Sequence, residues 1–274
     1  MHTRSPEPAV SVVMGICYRR PNLDLLERSI SSILSQTVQN MEVLICEYGS
    51  TDRARLRLSC FAAEDDRVRI LQGSSPGTLA QNLNRCLVEA KGNYIARMDD
   101  DDFSCPDRFA KQLAYLGHHP DIDYVGCNVE LCRNGEQIGM WTFPEFPEIH
   151  DFYIRQPYVH PSLIFRREAL DAVGGYSEDR RCVLCEDYDL LLRMTGKGMQ
   201  GANLQEPLLT YTVPSTSKGN RKMRHRWNET VTRYKRFKEL GMLPGAFPYV
   251  IKPLAVGLLP AWTLKAIKEK RMEK

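Results

Sequence analysis

The chain has 274 residues, 43% hydrophobic and 26% charged, with a formal net charge of +3. That length holds one large domain, or one domain with an appendage, of ordinary globular composition, and the charge is too small to argue for nucleic acid over the whole surface. Nine cysteines, odd in number and mostly inside apolar runs (Cys17, Cys46, Cys127), argue for reduced thiols in a cytoplasmic protein and against a disulfide framework.

Met1 to Pro8 carries charges and prolines without an apolar stretch, so no secretory leader is expected. Val10 to Cys17 is short, apolar and β-branched, and predicts a buried first strand. Leu23, Leu26, Ile30, Ile33 and Leu34 recur at helical spacing, giving an amphipathic helix that ends near Gln36-Thr37. Met41 to Cys46 reads as a second strand, closed by the turn Gly49-Ser50-Thr51-Asp52. Val68 to Leu71 reads as a third, followed by a loop from Gly73 to Gly77. Leu79, Leu83, Cys86, Leu87 and Ala90 mark the next helix, which stops at Gly92. Tyr94 to Met98 is the next strand, and Tyr124 to Leu131 another. This alternation predicts a mostly parallel α/β sheet flanked by helices. From Asn134 the pattern loosens, and Trp141 to Pro161 reads as an irregular, substrate-facing region. A helix follows from Glu186 to Gly196, then a basic helical stretch from Arg221 to Leu240 and a proline-broken apolar tail. The division expected is 1–217 for the α/β domain and 218–274 for a basic helical extension.

The strand Tyr94 to Met98 runs directly into Asp99-Asp100-Asp101-Asp102. Four carboxylates at the end of a buried strand repel one another and resist desolvation, so the run needs an offsetting cation or a basic partner. Mg2+ and Mn2+ favour such oxygens and commonly bridge to substrate phosphates. Ligands of open α/β sheets bind outside the carboxyl ends of strands, where this run falls. A solvated acidic turn is the alternative, against which Phe103 and the helix-start pair Cys105-Pro106 speak. A calcium EF-hand is excluded: counted from Asp99, its required Gly and Glu positions hold Ser104 and Ala110. The lone Cys182-x-x-Cys185 lacks a second pair for zinc.

Several strings then align in order. Ser11-Val-Val-Met-Gly15, Ser32 to Thr37 and Glu47-Tyr-Gly-Ser-Thr-Asp52 come first. Gly77, Leu83-Asn84-Arg85, Arg97 to Asp102 and Pro106-Asp-Arg108 follow. The series ends in Gly174-Gly-Tyr176, Glu186-Asp-Tyr-Asp-Leu190 and Pro207 to Tyr211. Together, over roughly residues 9 to 217, they resemble the family 2 glycosyltransferases of the GT-A fold. The resemblance implies inverting transfer of a hexosyl group from a nucleotide-diphosphate sugar, UDP-linked by preference. The implied acceptor is a glycan or lipid-linked glycan of bacterial polysaccharide biosynthesis, and the implied place is the cytoplasm at the inner face of the plasma membrane. It implies that Asp101, with Asp99 beside it, holds Mn2+ or Mg2+, and that Gly15, Glu47, Tyr48, Asn84, Arg97, Asp99 and Asp100 line the nucleotide-sugar site. Two positions depart from the family pattern. Glu47-Tyr48 replaces a pair of aspartates, leaving Glu47 to accept from the base with a longer arm or Tyr48 to stack on it. Pro214 replaces a common histidine.

Glu186-Asp187 matches the acidic pair of the family, with Asp187 as general base; alone, such residues are also ordinary helix N-terminal acids. In a first helical turn the dipole favours the ionised form. His160, Gly175, Tyr176 and Trp141 are candidate acceptor contacts, each with a packing role as its alternative. The basic residues Arg221, Lys222, Arg224, Arg226, Arg233, Lys235 and Arg236, with the apolar stretch Phe247 to Leu264, suggest a surface lying on an anionic leaflet without crossing it. A homodimer contact is the alternative. Two other readings compete: a nucleotidyltransferase, for which Ile16 to Arg20 is a poor phosphate loop, and a non-catalytic glycan- or nucleotide-binding scaffold derived from a transferase.

Overall fold

The computed structural model describes residues 7–20, 22–74, 77–214 and 222–259. The expectations for the start of the basic extension (218–221) and for the tail from 260 onward lie outside these residues. Strands β1 (Val10–Ile16), β2 (Met41–Glu47), β3 (Val68–Gln72) and β4 (Tyr94–Arg97) form a parallel set in the order β3-β2-β1-β4. The crossovers are helices α1 (Asp24–Leu34), α2 (Asp52–Glu64) and α3 (Leu79–Glu89). Alternation along β1 explains the layering. Val12, Met14 and Ile16 face one core with Ile30 and Ile33 of α1, while Val13 faces the other with Leu83 and Cys86 of α3. Burial on both faces is why these strands read as continuous apolar runs.

Helix α2 was not legible as a helix. Only Ala54, Leu58 and Phe61 are buried along it, and Leu56 is 68% exposed, so the apolar stripe is too sparse to show a period. Thr51 caps it, accepting from the Ala54 N–H at 3.3 Å.

Beyond β4 the pairing becomes mixed. The next elements are β5 (Phe103–Ser104), α4 (Arg108–His118), β6 (Tyr124–Arg133) and β7 (Glu136–Trp141). They are followed by β8 (Ile164–Arg166), α5 (Arg167–Val173), α6 (Glu186–Gly196) and β9 (Gly201–Thr212). The sheet continues β4-β8-β6-β9-β5, with β8 antiparallel to both its neighbours and β9 parallel to β6. The loose region begins instead with a hairpin: Asn134 and Gly135 both take positive φ, 54° and 87°, the two-residue turn an Asn-Gly pair favours. Because β5 pairs with β9 and β4 with β1, the acidic run bridges two separate parts of the sheet.

Helices α7 (Met223–Glu239) and α8 (Phe247–Gly257) close the described chain, with Phe237, Ala246 and Val250 joining the α3-side core. The basic surface is smaller than expected, since Arg226, Arg233 and Arg236 are buried in it. Arg233 donates to the Tyr153 carbonyl and Arg236 to Asp189. All nine cysteines are free thiols. No described helix is long and apolar enough to cross a membrane.

Candidate functional site

The acidic run is a fixed platform. The Ser29 hydroxyl of α1 donates to the Asp99 carbonyl at 2.7 Å, and the Thr212 hydroxyl of β9 donates to the Asp101 carbonyl. Asp102 is buried and accepts the Thr212 N–H at 2.8 Å through Oδ1, while its Oδ2 has no hydrogen-bond partner among the described residues. Burial, then the neighbouring Asp101 and Asp99 charges, push Asp100 up to about 7. Arg97 pairs with Asp99, and Arg20 with Asp101 at 2.5 Å.

Arg97 is the hub. It is 1% exposed, and its Nε and Nη1 have no hydrogen-bond partner among the described residues. Its charge reaches Tyr48, His160, Tyr176 and Glu186, lowering the proton affinity of each. The structure therefore gathers groups from the end of β2, the segment before β8, the turn after α5 and the start of α6 about one guanidinium. Burial first, and Arg97 second, hold the His160 imidazole neutral, and its Nε2 lies 2.8 Å from the Tyr176 hydroxyl. Gly174 and Gly175 take φ of 72° and 67°, the left-handed turn that glycine adopts without strain. A Cβ on Gly175 would also stand 2.7 Å from Asn84 Oδ1.

Asn84 clamps this turn. Its Oδ1 accepts the Tyr176 N–H at 2.8 Å and its Nδ2 donates to the Tyr176 carbonyl at 2.9 Å. Trp141 reaches the group through Tyr211, with ring centroids 5.6 Å apart. At the carboxyl ends of β1 and β2, Ile16 pairs with Glu47. Glu47 is buried and accepts the Ser50 N–H at 2.7 Å, and burial pushes the Tyr48 hydroxyl up to about 12. A Cβ on Gly15 would meet Leu79 Cδ1 of α3 at 2.7 Å, so that glycine also serves helix packing.

Glu186 and Asp187 open α6. Asp187 is partly exposed, its Oδ1 accepting the Tyr188 N–H at 2.8 Å. Glu186 is pushed up to about 7, by burial first and by the Asp187 charge next. The folded protein thus keeps the Glu186 proton over a window in which the unfolded chain has lost it. Stability from this group is present at low pH and is lost as pH rises through about 7. Glu186→Gln removes the titration and keeps the shape. Denaturant unfolding should show the variant gaining on wild type between about pH 5 and about pH 8, by on the order of 2 kcal/mol. An equal difference at both pH values would contradict this.

Sequence reading missed the supports of these groups. Asp189, 1% exposed, accepts from Arg193 Nε at 2.8 Å and from Arg236 Nε of α7 at 2.7 Å. Arg193 in turn donates to the Val173 and Gly175 carbonyls, so α7 braces the turn carrying Tyr176. Arg108, buried and pushed down to about 10 by desolvation, ties the Arg97 carbonyl to that of Pro161. Asp189 and Arg108 lay within strings already singled out, whereas Arg236 was read as part of the basic surface and is instead a buried partner of Asp189.

The donor chemistry suits a hard divalent cation. Asp99 and Asp101 are partly exposed carboxylates on a pinned backbone. No group of three or more His, Cys, Asp or Glu placed to hold a metal exists among the described residues. One or two carboxylates are what Mg2+ takes when phosphates complete its shell.

The family model described as glycosyl transferase family 2 matches residues 11–174. EpsE of Bacillus subtilis is 34% identical over 97% of this chain and 95% of its own length. The O-antigen biosynthesis glycosyltransferase WbnJ of Escherichia coli is 32% identical over 76% of this chain and 81% of its own. Among solved structures, S. aureus TarS with UDP-GlcNAc superposes with TM-score 0.67 at 15% identity, covering 89% of this chain and 72% of that one. The Pyrobaculum calidifontis mannosyltransferase PcManGT with GDP-Man and Mn2+ gives 0.63 at 19%, covering 98% and 81%. The fold is GT-A, and the chain belongs to glycosyl transferase family 2 and is a glycosyltransferase.

Proposed function

We propose that the protein is an inverting, metal-dependent hexosyltransferase of polysaccharide biosynthesis. It moves a sugar from a nucleotide-diphosphate donor, UDP-linked by preference, to a hydroxyl of a glycan or lipid-linked glycan. The observation that carries this reading is the convergence of the acidic run, Arg97 and the Glu186-Asp187 pair on one site. Two solved relatives in fold hold UDP-GlcNAc and GDP-Man, which supports the donor class.

In this reading Asp101, with Asp99, would hold Mn2+ or Mg2+, which would neutralise charge on the departing diphosphate. Glu47 or Tyr48 meets the base, and Asp100 lies along the donor side. The unpartnered Nε and Nη1 of Arg97 supply fixed positive charge where negative charge grows, without reorganisation at the moment of reaction. Asp187 takes the proton from the acceptor hydroxyl on the face opposite the leaving group. Glu186, with its proton affinity raised, keeps the pair from carrying two full charges at neutral pH. His160, Gly175, Tyr176 and Trp141 form the acceptor side, with the neutral imidazole orienting the Tyr176 hydroxyl. Incubating the protein with UDP-hexoses, Mn2+ and a lipid-linked glycan tests this by the appearance of UDP and an extended glycan. Loss of Mn2+ dependence, or retention of anomeric configuration, would overturn the mechanism.

The C-terminal helices support peripheral contact with the cytoplasmic leaflet. Met223, Trp227 and Tyr234 of α7 are exposed at one helical spacing, and Phe247 and Ile251 of α8 with Leu258 just past its end repeat it. Lys222, Arg224, Lys235 and Lys238 are exposed alongside, each contributing roughly 1 kcal/mol near an anionic surface. Flotation should require anionic vesicles, weaken at high salt and fall on truncation after Gly241. Flotation indifferent to lipid charge, or surviving truncation, would assign the stripes to packing or a homodimer.

A further inference from the structure

Arg20 lies in the loop after β1, yet its Nη2 reaches Asp101 Oδ2 at 2.5 Å, across 81 residues of sequence. The loop itself is anchored: the Tyr18 N–H donates to Ser50 Oγ at 2.9 Å and the Tyr18 hydroxyl to the Asn22 carbonyl at 2.8 Å. The two partners differ in freedom. The Arg20 side chain is 43% exposed and holds Asp101 through one nitrogen, whereas the Asp101 side chain is 18% exposed on a backbone pinned by Thr212. An exposed arginine in a single-point pair is easily displaced, because such pairs contribute little net free energy. The carboxylate stays and the guanidinium can leave.

We propose that Arg20 is a resident stand-in for the divalent cation: it neutralises Asp101 in the nucleotide-free protein and gives way when cation and donor diphosphate arrive together. The proposal rests on the metal assignment to Asp101 above. It follows that the cation alone competes with Arg20 and binds weakly. A diphosphate offers the displaced guanidinium a new anionic partner, so cation and nucleotide strengthen each other's binding. Arg19 next to it is the natural control, since its Nε donates to the Gly49 carbonyl at 2.9 Å and it pairs with no carboxylate of the run.

The test is titration of Mn2+ followed by the electron paramagnetic resonance signal of the free ion, alone and with UDP or GDP. Arg20→Gln should bind Mn2+ alone at least about fivefold tighter than wild type, the low end of ordinary coupling between sites. It should lose a similar factor from the mutual strengthening of Mn2+ and diphosphate. Arg19→Gln should stay within about twofold of wild type, the scatter of independent positions. An unchanged Arg20→Gln, or an equal gain in Arg19→Gln, would overturn the proposal and leave only a general charge effect. Asp101→Asn separates the two layers. If it binds Mn2+ and diphosphate as wild type does, the metal assignment itself falls. If it loses Mn2+ while Arg20→Gln changes nothing, the assignment stands and only the role of Arg20 falls.

Discussion

Asp187→Asn is expected to lower turnover by about 10²- to 10⁴-fold while leaving donor affinity near its wild-type value. The asparagine keeps the side-chain shape at the first turn of α6, and its Oδ1 can still accept the Tyr188 N–H. Only the proton acceptor is lost, so the effect belongs to the chemical step and not to folding or donor binding. Single-turnover kinetics with saturating donor would show it. Near-normal turnover would instead move the role to Glu186. In that case activity should fall as pH drops through about 7, the value to which burial and Asp187 raise that carboxyl.

The second large effect separates neighbours in the acidic run. Asp101→Ala should weaken Mn2+-dependent nucleotide binding by more than about 100-fold, beyond the 10- to 100-fold that follows from losing a group behind a metal ligand. Its stability should change little, because the pair with exposed Arg20 is a partly solvated one. Asp102→Ala should do the reverse in stability. Asp102 is buried, and its removal strands the Thr212 N–H that holds β9 against the run, at about 1–3 kcal/mol. Calorimetric binding and thermal unfolding on both variants decide the matter. Wild-type nucleotide affinity in Asp101→Ala would remove it from the metal site.

Legibility followed the physics of burial. β1, β2, β4, α1, α3 and α6 were readable because each buries a continuous or strongly periodic apolar set. β9 was not: Gln205, Glu206 and Pro207 interrupt it, and its parallel pairing with β6 shifts register about Asn128. Nothing local announces a partner some eighty residues away. The site divides in the same manner. Asp99 to Asp102, Glu186 and Asp187 were visible as residue types that a buried location must justify. Their partners were not, because Arg20–Asp101 and Arg236–Asp189 span 81 and 47 residues. Asn84 was singled out by resemblance alone, and nothing local announces that its amide atoms engage the Tyr176 backbone 92 residues away.

The central claim is that the acidic run and its facing groups hold a nucleotide diphosphate through a divalent cation. Isothermal titration of UDP and GDP into metal-free protein, repeated after adding Mn2+, tests it most directly. The account predicts that at least one of the two binds only when Mn2+ is present, and more tightly than its monophosphate. Binding of neither with metal, or equal binding with and without it, would contradict the account.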